Sequence, residues 1–160
     1  SENAFLLGLL RDVGLSVALV AVGEFLRSVK KPVRLSPAGW LAAESVHEHF
    51  SGELLKAWGL PPALVLVAQN HHSLMVGGFP HPQIAVLLIA EQIASEAGWG
   101  ICPVVEQGPD DIAMVSTEPS VMNNLDTALE SLMLTRRHYQ MVQNDTRRVL
   151  ETLAGDFRAK

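Results

Sequence analysis

The chain has 160 residues, 48% hydrophobic and 18% charged, with a formal net charge of −5 and a pI near 5.6. That is enough apolar material for a packed core, which excludes a disordered chain. The densest basic group is Lys30, Lys31 and Arg34, too small a cluster for a nucleic-acid interface, and the one cysteine, Cys102, excludes an internal disulfide or a thiolate zinc cage. A reducing cytoplasm is the expected setting.

Helical spacing dominates, and no run of β-branched residues is bounded by hairpin turns, so the expected class is all-α, a multi-helix bundle with a long C-terminal helix. The first helix is predicted from about Asn3 to about Val29. Its apolar part after Arg11 and Asp12, Val13 to Gly23, is about half the length of a bilayer span. A signal peptide would carry its positive charge before the apolar run. The segment therefore reads as a buried core helix, with neither membrane nor nucleic acid as a partner. A loop is predicted from Lys30 to Leu35. Ser36 is placed to cap the second helix, with Pro37 at its first position and Gly59 as its stop after Trp58. Pro61 and Pro62 start a third helix reaching about His72. Gly77-Gly78-Phe79-Pro80 reads as a loop, Pro82 opens a fourth helix and Gly98 closes it.

Trp99 to Pro109 reads as irregular chain. From about Glu118 the sequence is more polar. Leu125, Ala128, Leu132, Thr135, Tyr139, Val142, Thr146, Val149 and Leu153 then recur at spacings of 3 and 4. This heptad-like stripe suits a long terminal helix lying on its own domain, or half of a homodimer contact. The expected division is a helical domain over 1–115 and a helical extension over 116–160.

Four helices each carry an ionisable residue on an apolar stripe. His47 sits among Trp40, Ala43, Phe50, Leu54 and Ala57. His71 shares a face with Leu60, Leu64, Val67 and Ala68, and His72 borders it. Glu91 lies with Ile84, Leu87, Leu88 and Ala94, and Asp12 with Phe5, Gly8 and Leu9. Burying an unpaired charge costs several kcal/mol, so convergence accounts for these residues better than separate burial does. Asp12, His47, His71, His72 and Glu91 could pair internally as a polar network with no cofactor. They could equally hold iron, manganese, zinc or nickel; spacing leaves both open. His81 and His138 read as ordinary loop and helix-surface residues. Trp40 and Trp58 read as core anchors, Cys102 as a small packed residue, and Glu106, Asp110 and Asp111 as a solvated loop.

The same residues carry a family resemblance. The stretch from Ala4 to Gly14, with Gly8-Leu9-Leu10-Arg11-Asp12 at its centre, resembles the "GLLHD" phrase of the HDOD family, signalling relatives of the HD-domain metal phosphohydrolases. Glu44 to Leu55 with Trp58-Gly59-Leu60-Pro61, the His71-His72 pair, and Leu88 to Ala94 resemble its following phrases in order. The resemblance covers about Ala4 to Gly98 and implies an HD-like helical bundle. The family has a further helical half before the first phrase, which implies a fragment or a shortened variant here. Three departures bear on function. Arg11 stands at the histidine of the His-Asp pair and has no lone pair for a metal. Glu91 stands where the enzymes place aspartate, and the upstream histidine of the enzymes would fall before residue 1.

The resemblance implies a non-catalytic regulatory domain of a bacterial signalling protein, with other signalling domains as partners and a degenerate metal site. The alternative is a metal-dependent phosphohydrolase acting on a nucleotide or other phosphoester. A dimerisation module working through the last helix is the third reading. Arg11 is expected to pair with a nearby acidic group such as Glu91 or Glu48. No P-loop, dinucleotide-binding or nucleophile-elbow phrase is present.

Overall fold

In the computed structural model, which describes residues 2–31, 36–99 and 119–158, the apolar N-terminal stretch folds as two helices, α1 (Glu2–Leu10) and α2 (Val13–Ser28). The break falls at Arg11–Asp12. Asp12 takes the N-cap position of α2 with φ −98° and ψ 10°. The carbonyl of Arg11 turns aside to accept from the Ser51 hydroxyl at 2.5 Å, and the Gly14 N–H donates to that same oxygen at 3.0 Å. A single uninterrupted helix would have kept both backbone groups for itself.

Ser51 lies on α3 (Pro37–Ala57), against which α2 packs. The expected cap is present: the Ser36 hydroxyl accepts from the Gly39 N–H at 3.1 Å, Pro37 follows, and Gly59 stands beyond the helix end at φ +72°. The buried face of α3 is Trp40, Ala43, His47, Ser51, Gly52 and Leu55. It follows the expected stripe through Trp40, Ala43 and His47 and then runs one position later, leaving Ala57 exposed, because Gly14 draws α2 against Ser51 rather than against Phe50 or Leu54. Trp40 anchors this core as expected, whereas Trp58, past the helix end, is 56% exposed.

The N-terminal stretch is not the buried core helix that its composition suggested. Only Gly14 and Ala18 of α2 are buried, and Phe5 and Phe25 are 72% and 64% exposed. Apolar composition cannot reveal how many neighbours a helix has, and here one face of α2 meets α3. By length and composition alone, Asn3–Ser28 is apolar enough to cross a membrane.

The chain divides into two compact units. The first holds α1, α2, α3 and α4 (Pro62–Ala68) and runs to Ser73. The second starts at Leu74 with a short antiparallel hairpin, β1 (Met75–Val76) and β2 (Phe79–Pro80). The expected loop at Gly77-Gly78 is its turn, with φ +62° and +87°, the paired left-handed conformation that suits two glycines. The helix α5 (Pro82–Glu96) follows and ends before Gly98, as expected.

The predicted terminal helix is likewise two, α6 (Pro119–Ser131) and α7 (Arg136–Arg158). Thr135 and His138 make the break. The Thr135 N–H donates to His138 Nδ1 at 3.1 Å, and the His138 N–H donates to the Thr135 hydroxyl at 3.4 Å. This reciprocal arrangement is that of a capping box, with histidine in the place of glutamate. Ile93, Leu125, Leu129 and Tyr139 form one core cluster of this unit, with Ile89 against it. Tyr139, expected on the same stripe as Val142 and Val149, faces inward, while those two valines are exposed. Cys102, Arg34, Glu106, Asp110 and Asp111 lie outside the described residues.

Gly14 is the contact on which the α2–α3 crossing depends. A Cβ there would stand 2.2 Å from the Ser51 nitrogen and 2.3 Å from the His47 carbonyl oxygen, both backbone atoms that cannot step aside. Gly14→Ala is expected to destabilise the protein by about 3 kcal/mol or more, the upper range for overpacking, read as a lowered midpoint in chemical denaturation.

Candidate metal centre

Three segments of the first unit converge on one point. Asp12 comes from the α1–α2 turn, His47 from the buried face of α3, and His71 and His72 from the turn after α4. One ligand atom from each of these four residues lies within 4.8 Å of the others. His47 and His71 are buried, Asp12 is half-buried and His72 is exposed.

The turn that carries the two histidines exists because side chains take over the last bonds of α4. The helix stops at Ala68 instead of reaching His72. The Ala68 carbonyl, which a continuing helix would offer to the His72 N–H, accepts from His71 Nδ1 at 2.8 Å. The His72 N–H donates instead to Glu48 Oε1 at 2.8 Å. Glu48 therefore fixes the backbone of the His-His pair from α3. Arg11 does pair with a nearby acidic group, its own neighbour Asp12, which the expectation of Glu91 or Glu48 did not include: Arg11 Nε lies 2.9 Å from Asp12 Oδ2.

The imidazole tautomers follow from their acceptors. A carbonyl can only accept, so Nδ1 of His71 donates to Ala68 and Nδ1 of His47 donates to the Glu44 carbonyl. Both Nε2 atoms are then directed at the cluster. His47 Nε2 is 3.1 Å from His71 Nε2 and 3.1 Å from His72 Nε2. Asp12 Oδ1 is 3.2 Å from His71 Nε2 and 3.7 Å from His47 Nε2.

Unprotonated nitrogens at such spacing repel unless a proton or a cation lies among them. A tetrahedral ion with bonds of about 2.1 Å would set its donors about 3.4 Å apart, within the range of 3.1 to 3.7 Å of the four separations above. Each buried imidazole also has its remote nitrogen held by a carbonyl, the outer contact that orients histidine ligands in metal centres. The donor set of three imidazoles and one carboxylate fits a divalent transition ion such as iron, manganese, zinc or nickel.

Burial opposes ionisation of Asp12. With no metal bound, a proton on His71 Nε2 would join it to Asp12, and that bond with the charges of Arg11, His71 and His47 outweighs burial, so the carboxyl sits below its ordinary value of 3.8.

Of the five ligand candidates, the structure brings Asp12, His47, His71 and His72 together. Glu91 lies on α5 in the second unit. Sequence reasoning missed two contributors, the Ser51 clamp on the Arg11–Gly14 turn and the Glu48 contact to the His72 amide. A small polar residue one turn after His47, on the same buried face, was the available signal for Ser51.

Residues 1–74 match the family model of the HDOD domain, so an HDOD domain is present over that stretch. Arg11 and all four clustered donors fall inside the match, which ends one residue after Ser73. No curated protein and no solved structure shows a significant match to the chain.

Two outcomes test this geometry. Ser51→Ala leaves the buried Gly14 N–H without its acceptor and is expected to cost about 1–3 kcal/mol in urea denaturation. The second concerns pH. Because the folded pKa of Asp12 is depressed, its contribution to stability is complete above its ordinary value of 3.8 and is lost as pH falls through the lower folded value. In metal-free protein, Asp12→Asn should therefore flatten the stability profile below about pH 4, measured as the slope of the melting temperature against pH.

Proposed function

We propose that the HDOD domain in residues 1–74 acts as a non-catalytic regulatory module of a bacterial signalling protein. In this reading the Asp12, His47, His71 and His72 centre binds a divalent transition ion and fixes the surrounding turns, and it does not turn over substrate. The observation that carries the reading is Arg11, a permanent cation ion-paired to the Asp12 carboxylate, the one carboxylate of the cluster among the described residues. Phosphoester hydrolysis at paired metals needs cations to gather the substrate phosphate and a nucleophilic water between them. Here one oxygen of the Asp12 carboxylate is committed to a side chain that can neither bind a metal nor take a proton from water.

When bound, the ion supplies Lewis acidity. Asp12 Oδ1 and the Nε2 atoms of His47, His71 and His72 are the atoms that would hold it. Other signalling domains or proteins are the proposed partners. A second copy is the other candidate, met by the Val142 and Val149 side of α7, where both valines are exposed. A reducing cytoplasm is the proposed setting.

The convergence of four donors at metal spacing favours a second reading, a phosphohydrolase acting on a nucleotide or other phosphoester. Metal analysis of the purified protein and of His47→Ala, with a phosphoester panel run on both, separates the two. The regulatory reading expects a near-stoichiometric divalent metal in the parent protein, loss of most of it in the variant, and no hydrolysis above the variant's background. Metal-dependent hydrolysis that disappears in His47→Ala would establish the enzyme instead.

A further inference from the structure

We propose that Arg11 restricts this centre to a single metal ion by holding Asp12 as a one-oxygen ligand. The proposal rests on the reading of Asp12, His47, His71 and His72 as a metal centre and goes beyond it by assigning its nuclearity and a positioning residue.

The two oxygens of Asp12 face different partners. Oδ1 turns to the imidazoles, 3.2 Å from His71 Nε2 and 3.7 Å from His47 Nε2. Oδ2 turns away to the Arg11 guanidinium, with Nε at 2.9 Å. A carboxylate that joins two metal ions uses one oxygen for each, with the ions about 3.5–4 Å apart. The place of a second ion beside Oδ2 is taken here by a fixed positive charge. That charge offers no lone pair and repels an incoming dication. Both side chains of the pair are largely shielded from water, Arg11 being 12% and Asp12 21% exposed, which strengthens the pairing between them.

The backbone holds the arrangement in place. The Arg11 carbonyl is tied to the Ser51 hydroxyl, and Asp12 stands at the N-cap of α2, so the two neighbours cannot exchange places in the turn. The nearest further carboxylate on α3, that of Glu48, is engaged with the His72 N–H at 2.8 Å. A single ion on three imidazole nitrogens and Oδ1, with Arg11 balancing the other oxygen, uses every one of these groups.

The test is manganese titration of the full chain and of Arg11→His and Arg11→Lys, read by metal-to-protein ratio and by electron paramagnetic resonance. The parent protein and Arg11→Lys should saturate at one ion per chain with the six-line signal of an isolated Mn(II). Arg11→His replaces the cation with a neutral donor and frees Oδ2. It should take up a second ion at millimolar manganese and show the broadened multiline signal of a coupled pair. Two ions or a coupled signal in the parent protein would overturn the proposal, whether or not the variants fold. So would a folded Arg11→His that stops at one ion. No manganese in the titration, and no iron, zinc or nickel in the parent protein by elemental analysis, would instead remove the metal centre itself, and the proposal with it.

Discussion

The geometry of the first unit depends on the Ser51 hydroxyl. It is fully buried and serves two backbone groups on either side of Asp12, the carbonyl of Arg11 and the amide of Gly14. Those two bonds convert what would be one long apolar helix into α1, a turn and α2. They also fix the height of the turn on α3. Ser51 is four residues from His47, so it projects from the same face of the helix one turn further on. Asp12 is thereby set beside His47 by the side chain that breaks the helix. Gly14 completes the fit, because its missing Cβ lets the start of α2 lie against the backbone of α3 at His47 and Ser51.

The second constraint is the one that buried imidazoles impose on the backbone around them. His47 and His71 are, with Ser51, the buried polar groups of a unit whose other buried side chains are aliphatic apart from Trp40. Each satisfies one nitrogen with a carbonyl of its own segment, at Glu44 and Ala68. The second of these bonds has a structural cost, since it takes a carbonyl from α4 and ends the helix. Glu48 offsets that cost by accepting the released His72 N–H. The short α4 and the polar cluster are therefore one feature: the helix ends where its last bonds pass to the side chains of His71 and Glu48.

These two constraints decide where the sequence was legible. Helix starts with local chemistry were readable. Ser36 followed by Pro37, and the Gly59 and Gly98 stops, depend on neighbours in the chain. The convergence of His47 and His71 was readable because ionisable residues on apolar stripes are costly to bury one by one. The stripe expected around Asp12, Phe5, Gly8 and Leu9, is exposed, so only the family resemblance pointed to Asp12. The breaks at Arg11–Asp12 and after Ala68 were not readable. Each is made by a side chain that is remote in sequence, Ser51 for the first and Glu48, with the nearby His71 ring, for the second. The break before α7 is local, but it uses histidine where a capping box usually has glutamate, so the sequence pattern does not reveal it. Burial was the weakest inference. The composition of α2 promised a core helix, yet hydropathy reports what a surface would prefer and not how many neighbours it has.

The four donors come from three pieces of chain with different freedom. His47 stands on α3, a helix of 21 residues, while Asp12 and the His71-His72 pair stand on turns at either side of it. The turns are joined to α3 by a few polar contacts, through Ser51 on one side and Glu48 on the other. A cation held by all four donors adds a direct link between the two turns, and it does so only in the folded state. Local opening of either turn would then have to break a metal bond as well as a hydrogen bond. The centre is thus suited to setting how firmly the turns at Asp12 and His71 are held against α3. That is a property of the folded domain's surface, and it requires no reaction at the metal.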